Sequence, residues 1–165
     1  MIRALARLAL VGIPVFAAGC RRPPDISPPQ LRLGEQECDS CRMLVNDERF
    51  AAALVFQRDG NVTKLVFDDI NCVFDYLAEQ PPAEPYHVYT HDLDTRAWLD
   101  ARRASFICSA KLETPMASQI AAAPTPEAAA ALLEHYPGER LTFEQVAGRF
   151  TRSSVPESAR GGEAP

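Results

Sequence analysis

The pattern that most constrains the fold is a predicted β-hairpin in the first half of the chain. Two runs rich in β-branched and aromatic residues, FAAALVFQ at 50–57 and VTKLVF at 62–67, flank an Asp59-Gly60 pair. Asp-Gly between two such runs is a strong signal for a two-residue turn, because both turn positions need a positive φ. The sequence therefore predicts two antiparallel strands joined by this turn.

A helix and a third strand are predicted directly after the hairpin. Asp68 or Asp69 can cap a helix whose apolar positions follow the 3.6-residue period, at Ile70, Val73, Phe74 and Leu77. The helix is expected to end before Pro81, and YHVYTHD at 86–92 has the composition of a strand. Together these elements form a ββαβ-like unit over residues 44–92.

The second half of the chain repeats this order of elements. The elements predicted there are strands at 104–110 and 117–123, a helix opened by Thr125 and Pro126, and a closing strand at 138–143. We therefore predict an α+β fold in which two consecutive ββαβ-like units, 44–92 and 103–146, pack into one compact two-lobed domain. A single irregular α+β domain has the same secondary structure and is the alternative.

The first twenty residues have the layout of a bacterial export signal. Two arginines precede an apolar run from about Leu8 to Phe16, and small residues connect this run to Cys20. The run is far shorter than the roughly 20 residues that span a bilayer, so we predict a signal peptide over 1–19. The junction AAGC resembles a lipobox, in which the cysteine receives a diacylglyceryl group. Cys20 is thus the predicted lipidation site, with plain cleavage nearby as the alternative.

Proline content and apolar periodicity delimit the core. RRPPDISPPQ at 21–30 has four prolines in ten residues, which is typical of a stiff, extended tether, and we assign residues 20–32 to the lipidated cysteine and this tether. Residues 151–165 lack apolar periodicity and are predicted to form a disordered tail. The core then spans residues 33–150.

The charge of the chain disfavours some classes of partner. The formal net charge is -5 at pH 7, and removal of the signal peptide, which contains two arginines and no acidic residue, changes it to -7. Such a surface does not suit binding to nucleic acid or to anionic lipid.

Sulfur-bearing side chains are gathered in two predicted loops. CDSCRM at 38–43 places two thiols and a thioether just before the first strand, and Met116 lies between the two strands of the second unit. Neither Met43 nor Met116 lies in an apolar periodic run, as a core methionine would. Thiolates and thioethers are soft donors that select Cu(I) over hard cations, and thioethers contribute almost nothing to Zn²⁺ binding. The pattern therefore favours a Cu(I) site in loops that a partner's ligand can enter.

These motifs, in this order, resemble the NosL family of copper-binding lipoproteins from denitrifying bacteria. The resemblance covers the lipobox, the CxxCxM motif, FAAALVF, VFDD, YHVYTHD, AWLDARRASFI and the Pro-Met pair at 115–116. It implies a lipoprotein of the cell envelope, anchored to the membrane and facing the periplasm, which delivers Cu(I) for the copper centres of nitrous oxide reductase beside an ABC-type maturation complex. By position, it implies Cys41, Met43 and Met116 as copper ligands, with Cys38 as a fourth candidate.

The chain departs from the family pattern in both sulfur loops. Arg42 stands where glycine is common, and Thr114 and Ala117 replace the glycines that usually flank the Pro-Met pair. A positive charge beside Cys41 is expected to lower the pKa of its thiol without blocking metal binding. The changes around Met116 put the mobility of that loop in question, but not its sulfur.

The remaining cysteines and histidines have ordinary explanations. Cys72 and Cys108 are expected to be small buried hydrophobes, with a disulfide as the alternative that an oxidising periplasm permits. His87 and His91 share one face of a predicted strand with Tyr89. They are expected to form a solvated polar edge, with a role as auxiliary ligands as the alternative.

Two other functional classes use a CxxC motif. A thiol-disulfide oxidoreductase needs the motif at the start of a helix, whose dipole lowers the pKa of the first thiol, whereas this motif leads into a predicted strand. A structural zinc site needs four ligands, and no second CxxC or Cys/His pair has a typical spacing. No nucleophile with an adjacent base is recognisable. The sequence therefore predicts a copper carrier and not an enzyme, with a membrane-tethered oxidoreductase as the alternative.

Overall fold

A computed structural model describes residues 23–83 and 85–153, and only the backbone of the last three of these. The predicted signal peptide, Cys20 and residues 154–165 of the predicted tail lie outside the described residues. Among the helices of the described part, none has both the length and the apolar character needed to cross a membrane.

Four antiparallel strands form the first sheet. They are β1 (Ala52–Arg58), β2 (Asn61–Phe67), β3 (Tyr86–His91) and β4 (Trp98–Asp100), in the order β2-β1-β3-β4. Asp59 and Gly60 connect β1 to β2 with φ values of 52° and 79°. Both values are those that a tight hairpin turn requires, so the predicted hairpin is confirmed.

Three antiparallel strands form the second sheet. They are β5 (Ser105–Cys108), β6 (Ile120–Ala123) and β7 (Glu139–Leu141), in the order β6-β5-β7. In each predicted unit the first strand lies between the second and the third, so the two units share one strand arrangement. A parallel bridge between Asp92 and Ala122 connects the two sheets. The predicted α+β class is confirmed.

In the described part of the chain, three helices cover the sheets. They are α1 (Ile70–Glu79), α2 (Pro126–His135) and α3 (Phe143–Ser153). The predicted cap of α2 is present, because the N–H of Ala128 donates to the Thr125 hydroxyl at 3.2 Å and Pro126 is the first helical residue. α1 packs on α3 through three aromatic rings, with the Phe74 centroid 5.5 Å from that of Phe143 and 6.0 Å from that of Phe150.

The prediction missed β4 and α3. β4 has three residues at the edge of its sheet, which is too short for a periodic pattern. α3 begins at Phe143, where the predicted closing strand ended, and the strand observed there stops at Leu141. Its buried and half-buried positions Phe143, Val146, Ala147 and Phe150 follow the helical period. α3 continues to Ser153 and so includes the first three residues of the predicted tail.

One apolar core runs through both units. It contains Phe56 and Phe67 from the first sheet, Phe106 from the second, and Val73 from α1. Two of its buried members are cysteines, Cys38 and Cys72, while Cys41 and Met116 are half-buried against it. The two loops predicted to carry the metal site therefore border the same core.

The proline-rich segment lies against the first sheet over its described part. Lys64 on β2 binds the Asp25 carboxylate at 2.9 Å, and the Tyr89 hydroxyl donates to the Ile26 carbonyl at 2.8 Å. These contacts hold the segment on the domain from Asp25 onward.

Candidate metal centre

The loop that carries CDSCRM is closed at its base and fixed to the end of β2. The Cys38 N–H donates to the Met43 carbonyl at 2.7 Å, and the residues flanking this pair form an antiparallel bridge. The Asp39 N–H donates to the Val66 carbonyl at 2.9 Å, and the Val66 N–H donates to the Asp39 carboxylate at 2.8 Å. The loop is thereby held where the chain leaves β2 and enters α1.

Three thiols and one carboxylate meet at this turn. The Sγ atoms of Cys38, Cys41 and Cys72 and a carboxylate oxygen of Asp68 all lie within 4.8 Å of one another. The Cys41 and Cys72 thiols donate to Asp68 Oδ1 at 3.4 and 3.2 Å. Cys72 lies in the first turn of α1, four residues after Asp68, which brings the two side chains to the same side of the turn. We call these four residues the thiol cluster.

The thiol cluster extends from the surface into the core. Cys38 and Cys72 are buried, with 0% and 1% of their surface exposed, and Asp68 is 1% exposed. Cys41 is half-buried and is the member that solvent reaches. A metal ion or a partner's ligand would therefore enter the thiol cluster at Cys41.

The three thiols differ in acidity. The neighbouring Cys72 thiol is the main cause that lowers the pKa of Cys38, and backbone N–H groups around Cys38 act in the same direction. The Cys38 side chain is in turn the main cause that raises the pKa of Cys72, and burial acts in the same direction. Burial raises the pKa of Cys41 to about 11. The expected lowering of the Cys41 pKa by Arg42 is therefore wrong, because burial is the largest effect and Arg42 is not among the main groups that shift this pKa.

The two predicted methionine ligands lie at different depths. Met43 is 45% exposed, two residues from Cys41. Met116 is half-buried, and its N–H donates to Asp69 Oδ2 at 3.1 Å. The Ser118 hydroxyl donates to the other oxygen of the same carboxylate at 2.6 Å. Since Asp69 follows Asp68 in the chain, these bonds fasten the Met116 loop to the turn that carries the thiol cluster.

Asp69 has a different role from the one its position predicts. It is the N-cap residue of α1, but its side chain makes no capping hydrogen bond. Both of its carboxylate oxygens instead accept hydrogen bonds from the loop at 116–118, and the residue is fully buried. Asp69 is thus a positioning residue for that loop.

Two of the three positions at which the chain departs from the glycines of the family pattern keep a backbone that suits glycine. Arg42 has a φ of 67° and Ala117 a φ of 54°, in the left-handed region that costs an L-residue about 1–2 kcal/mol. The Thr114 hydroxyl accepts the Gln119 N–H at 3.2 Å. Hydrogen bonds therefore close the Met116 loop despite its missing glycines.

Cys108 lies outside the thiol cluster, and its neighbour is a cation. The Arg149 guanidinium donates to its Sγ at 3.2 Å. All four cysteines of the described residues are free thiols, so the alternative of a disulfide is not observed.

The histidines of β3 are not part of the thiol cluster. His87 is half-buried and stacks on Tyr89, with the ring centroids 6.3 Å apart. His91 is 1% exposed, its Nδ1 is 3.0 Å from the Ala51 carbonyl oxygen, and its ring lies against Trp98. Burial lowers the pKa of His91. The predicted solvated edge is therefore wrong for His91, which is a core histidine.

Sequence reasoning did not identify Asp68 and Cys72 as site residues. Cys72 is buried, as expected, but its thiol donates to Asp68 and lies within 4.8 Å of Cys38 Sγ, so it does not contact apolar groups alone. The available signal was the D-x-x-x-C spacing at the start of a helix, which places a carboxylate and a thiol on one side of its first turn. The spacing of residues along the chain indicated no further zinc ligands beside the two cysteines of the CxxC. The fold adds two side chains that can bind a metal, the Cys72 thiol and the Asp68 carboxylate.

Comparisons with known proteins identify relatives of this architecture. Residues 31–150 match a protein-family model described as NosL. The crystal structure of the copper chaperone NosL from Shewanella denitrificans matches with a TM-score of 0.57 at 22% sequence identity, covering 72% of this chain and 96% of that chain. At this identity the structural match shows a shared fold. No curated protein matches the chain.

Proposed function

We propose that this chain, which belongs to the NosL family, binds Cu(I) and delivers it for assembly of the copper centres of nitrous oxide reductase. The observation that carries the proposal is that two thiols of the CDSCRM loop, Cys38 and Cys41, meet the Cys72 thiol of α1 within 4.8 Å, with Cys41 half-buried. Sulfur donors favour Cu(I) over the hard cations. The similar structure from Shewanella denitrificans is that of a copper chaperone, which supports the same cargo here.

In this proposal the copper ligands are Cys41, Met43 and Met116, with Cys38 as a fourth. Cys41 is half-buried and Met43 is exposed, so a recipient's ligand can approach the metal from solvent. Cu(I) accepts low coordination by soft ligands, and an incoming donor can replace one sulfur at a time. That exchange is what a carrier needs and what a closed structural site prevents.

The surface beside the loop supports delivery to another protein. Four large apolar side chains of the described residues are exposed, and they all lie on the same N-terminal segment: Ile26, Leu33, Met43 and Leu44. Contiguous exposed apolar residues mark interaction sites, and Met43 and Leu44 are neighbours in the chain at the CDSCRM loop itself. We assign the recipients, nitrous oxide reductase and its ABC-type maturation complex, on the family resemblance.

We also propose that Cys20 is lipidated and holds the domain on a membrane of the cell envelope, facing the periplasm. Asp25 is already bonded to Lys64 on the first sheet. The five residues from Cys20 to the one before Asp25 span at most about 18 Å, which keeps the domain close to the lipid surface.

The Cys20→Ser variant tests the anchor. The variant cannot receive the acyl chain, so we expect the protein to leave the membrane fraction and appear in the soluble periplasmic fraction. Its Cu(I) affinity should equal that of the parent, because Cys20 is not among the proposed ligands. Retention of Cys20→Ser on the membrane would show that another feature provides the anchor.

An oxidoreductase is the second candidate, and the lowered pKa of Cys38 favours it. A redox enzyme needs an accessible thiolate that can attack a substrate disulfide. Cys38 is 0% exposed, and the accessible thiol, Cys41, has a pKa raised to about 11. The acidic thiol and the accessible thiol are thus different residues, which suits metal binding better than disulfide exchange.

The Met116→Leu variant tests the copper proposal. Leucine keeps the volume and apolar character of the side chain, so a change in metal binding reports the loss of the thioether. We expect Cu(I) affinity to fall about tenfold, equivalent to ~1.4 kcal/mol, with one sulfur fewer in the X-ray absorption spectrum. Anaerobic competition against a Cu(I) chelator measures the affinity, and circular dichroism should show an unchanged fold.

Zn²⁺ provides the control for this experiment. Thioethers contribute almost nothing to Zn²⁺ binding, so Met116→Leu should bind Zn²⁺ as the parent does. Unchanged Cu(I) affinity and sulfur count would show that Met116 is only a packing residue. A parent protein that prefers Zn²⁺ to Cu(I) at equal chelator buffering would overturn the copper function itself.

A further inference from the structure

We propose that Cys72 is a metal ligand and that Cys38, Cys41 and Cys72 form an inner, all-thiol copper position beneath the exposed one. The inference rests on the proposed function and deepens it. The outer position uses Cys41 with the two methionines, and Cys38, the fourth candidate for that position, is assigned here to the inner one, so Cys41 is the ligand that both positions share. The chain would then hold Cu(I) in the core and release it at the surface.

The geometry of the three sulfurs fits one ion. Metal–thiolate bonds of about 2.3 Å, as for zinc, place three sulfurs in a plane about 4 Å apart. The three Sγ atoms of the thiol cluster already lie within 4.8 Å of one another. Small rotations of side chains are enough to close them on an ion.

The carboxylate of Asp68 gives an independent indication of a cation. Asp68 is 1% exposed, and its Oδ2 atom has no hydrogen-bond partner among the described residues. Ion pairs of that part of the chain do not include it either. Buried charges are normally paired or bound to metals, and an unpaired buried carboxylate oxygen is costly. A cation in the thiol cluster would supply the missing positive charge.

The elements that carry the three thiols are held in place by contacts within the protein that involve no metal. Cys38 and Cys41 lie on a loop that two hydrogen bonds between Asp39 and Val66 hold to β2. Cys72 lies in the first turn of α1, directly after that strand. Ligands held by rigid elements lose little freedom when they bind, and the burial of Cys38 and Cys72 keeps competing ligands away.

Copper can pass between the two positions by ligand exchange around Cys41. Bonds to the sulfurs of Cys38 and Cys72 break as bonds to the thioethers of Met43 and Met116 form, and the oxidation state of copper does not change. Each thiol gives a proton to solvent when it binds Cu(I) and takes one back when it is released.

The test compares Cys72→Ser with the matched change Cys108→Ser, in the reduced mature chain and under anaerobic conditions. Cys108 is also a free cysteine, but it lies outside the thiol cluster. In a chain that also carries Met43→Leu and Met116→Leu, where only the inner position remains, we expect Cys72→Ser to weaken Cu(I) binding at least tenfold against a chelator, and Cys108→Ser to leave it unchanged. Cys72→Ala should give the same loss. It is included because a serine at this position could disturb the helix, whereas an alanine would not.

The sulfur count separates this inference from the proposed function. A chain with both Met43→Leu and Met116→Leu should still bind one Cu(I) with three sulfurs in its X-ray absorption spectrum, and adding Cys72→Ser should reduce the count to two. If adding Cys72→Ser or Cys72→Ala to that double variant changes neither its Cu(I) affinity nor its sulfur count, the inner position is wrong. A loss caused by Cys72→Ser but not by Met116→Leu supports the inner position and overturns the methionine ligands.

Discussion

The Cys41→Ser variant should lose more Cu(I) affinity than Met116→Leu or Cys72→Ser, by at least about 100-fold relative to the parent, or ~2.7 kcal/mol. Cys41 is a ligand in both proposed positions and is the member of the thiol cluster that solvent reaches. A neutral hydroxyl is a hard and weak donor for Cu(I). Serine is close to cysteine in size and can still donate to Asp68, so the fold should persist. Chelator competition under anaerobic conditions measures the loss.

The proposed delivery role can be tested by measuring the copper content of the proposed recipient. Nitrous oxide reductase purified from cells that carry Cys41→Ser should contain less copper than the enzyme from parent cells, and Cys108→Ser should leave its copper content unchanged. A Cu(I) affinity of Cys41→Ser equal to that of the parent would show that the CxxC loop is not part of the copper site. If Cys41→Ser binds Cu(I) weakly but the reductase is still fully loaded with copper, the proposed copper site stands and the delivery role is overturned.

The elements predicted correctly are those whose signals lie within a few residues of each other. The Asp59-Gly60 turn needs two positive φ angles, and both are present. Thr125 and Pro126 act on the first turn of the helix that they open. In these cases the residues that determine the conformation are neighbours in the chain, so no knowledge of tertiary packing is needed.

The centre was predictable only in part, because it depends on contacts between distant segments. Cys38 and Cys41 are close in the sequence, but Cys72 joins them only because the loop docks on β2 through Asp39. Cysteine on the buried side of a helix is indistinguishable from a small apolar residue by periodicity. The role of Asp69 was hidden in the same way, since an aspartate before a helix is ordinarily a cap.

The Asp69→Asn variant should weaken copper binding without removing any ligand. The carboxylate accepts one hydrogen bond from the Met116 N–H and one from the Ser118 hydroxyl. Asparagine has one oxygen and one NH₂ group, so one of these donors loses its acceptor inside the protein. We expect a loss of about 1–3 kcal/mol in the free energy of unfolding, measured by urea denaturation. Because the Met116 loop is then free to move, Cu(I) affinity should fall about as much as in Met116→Leu, or ~1.4 kcal/mol.

A double-mutant cycle with Met116→Leu decides whether Asp69 acts through that thioether. If it does, the two substitutions remove the same interaction, and the double variant should bind Cu(I) about as well as either single variant. Asp92→Asn is the matched control, since Asp92 is also a buried aspartate, 5% exposed, but its carboxylate accepts from Thr95 in the turn after β3. It should cost stability and leave Cu(I) affinity unchanged. Additive losses in the cycle, or a parent-like affinity in Asp69→Asn, would show that Asp69 does not position Met116 for copper.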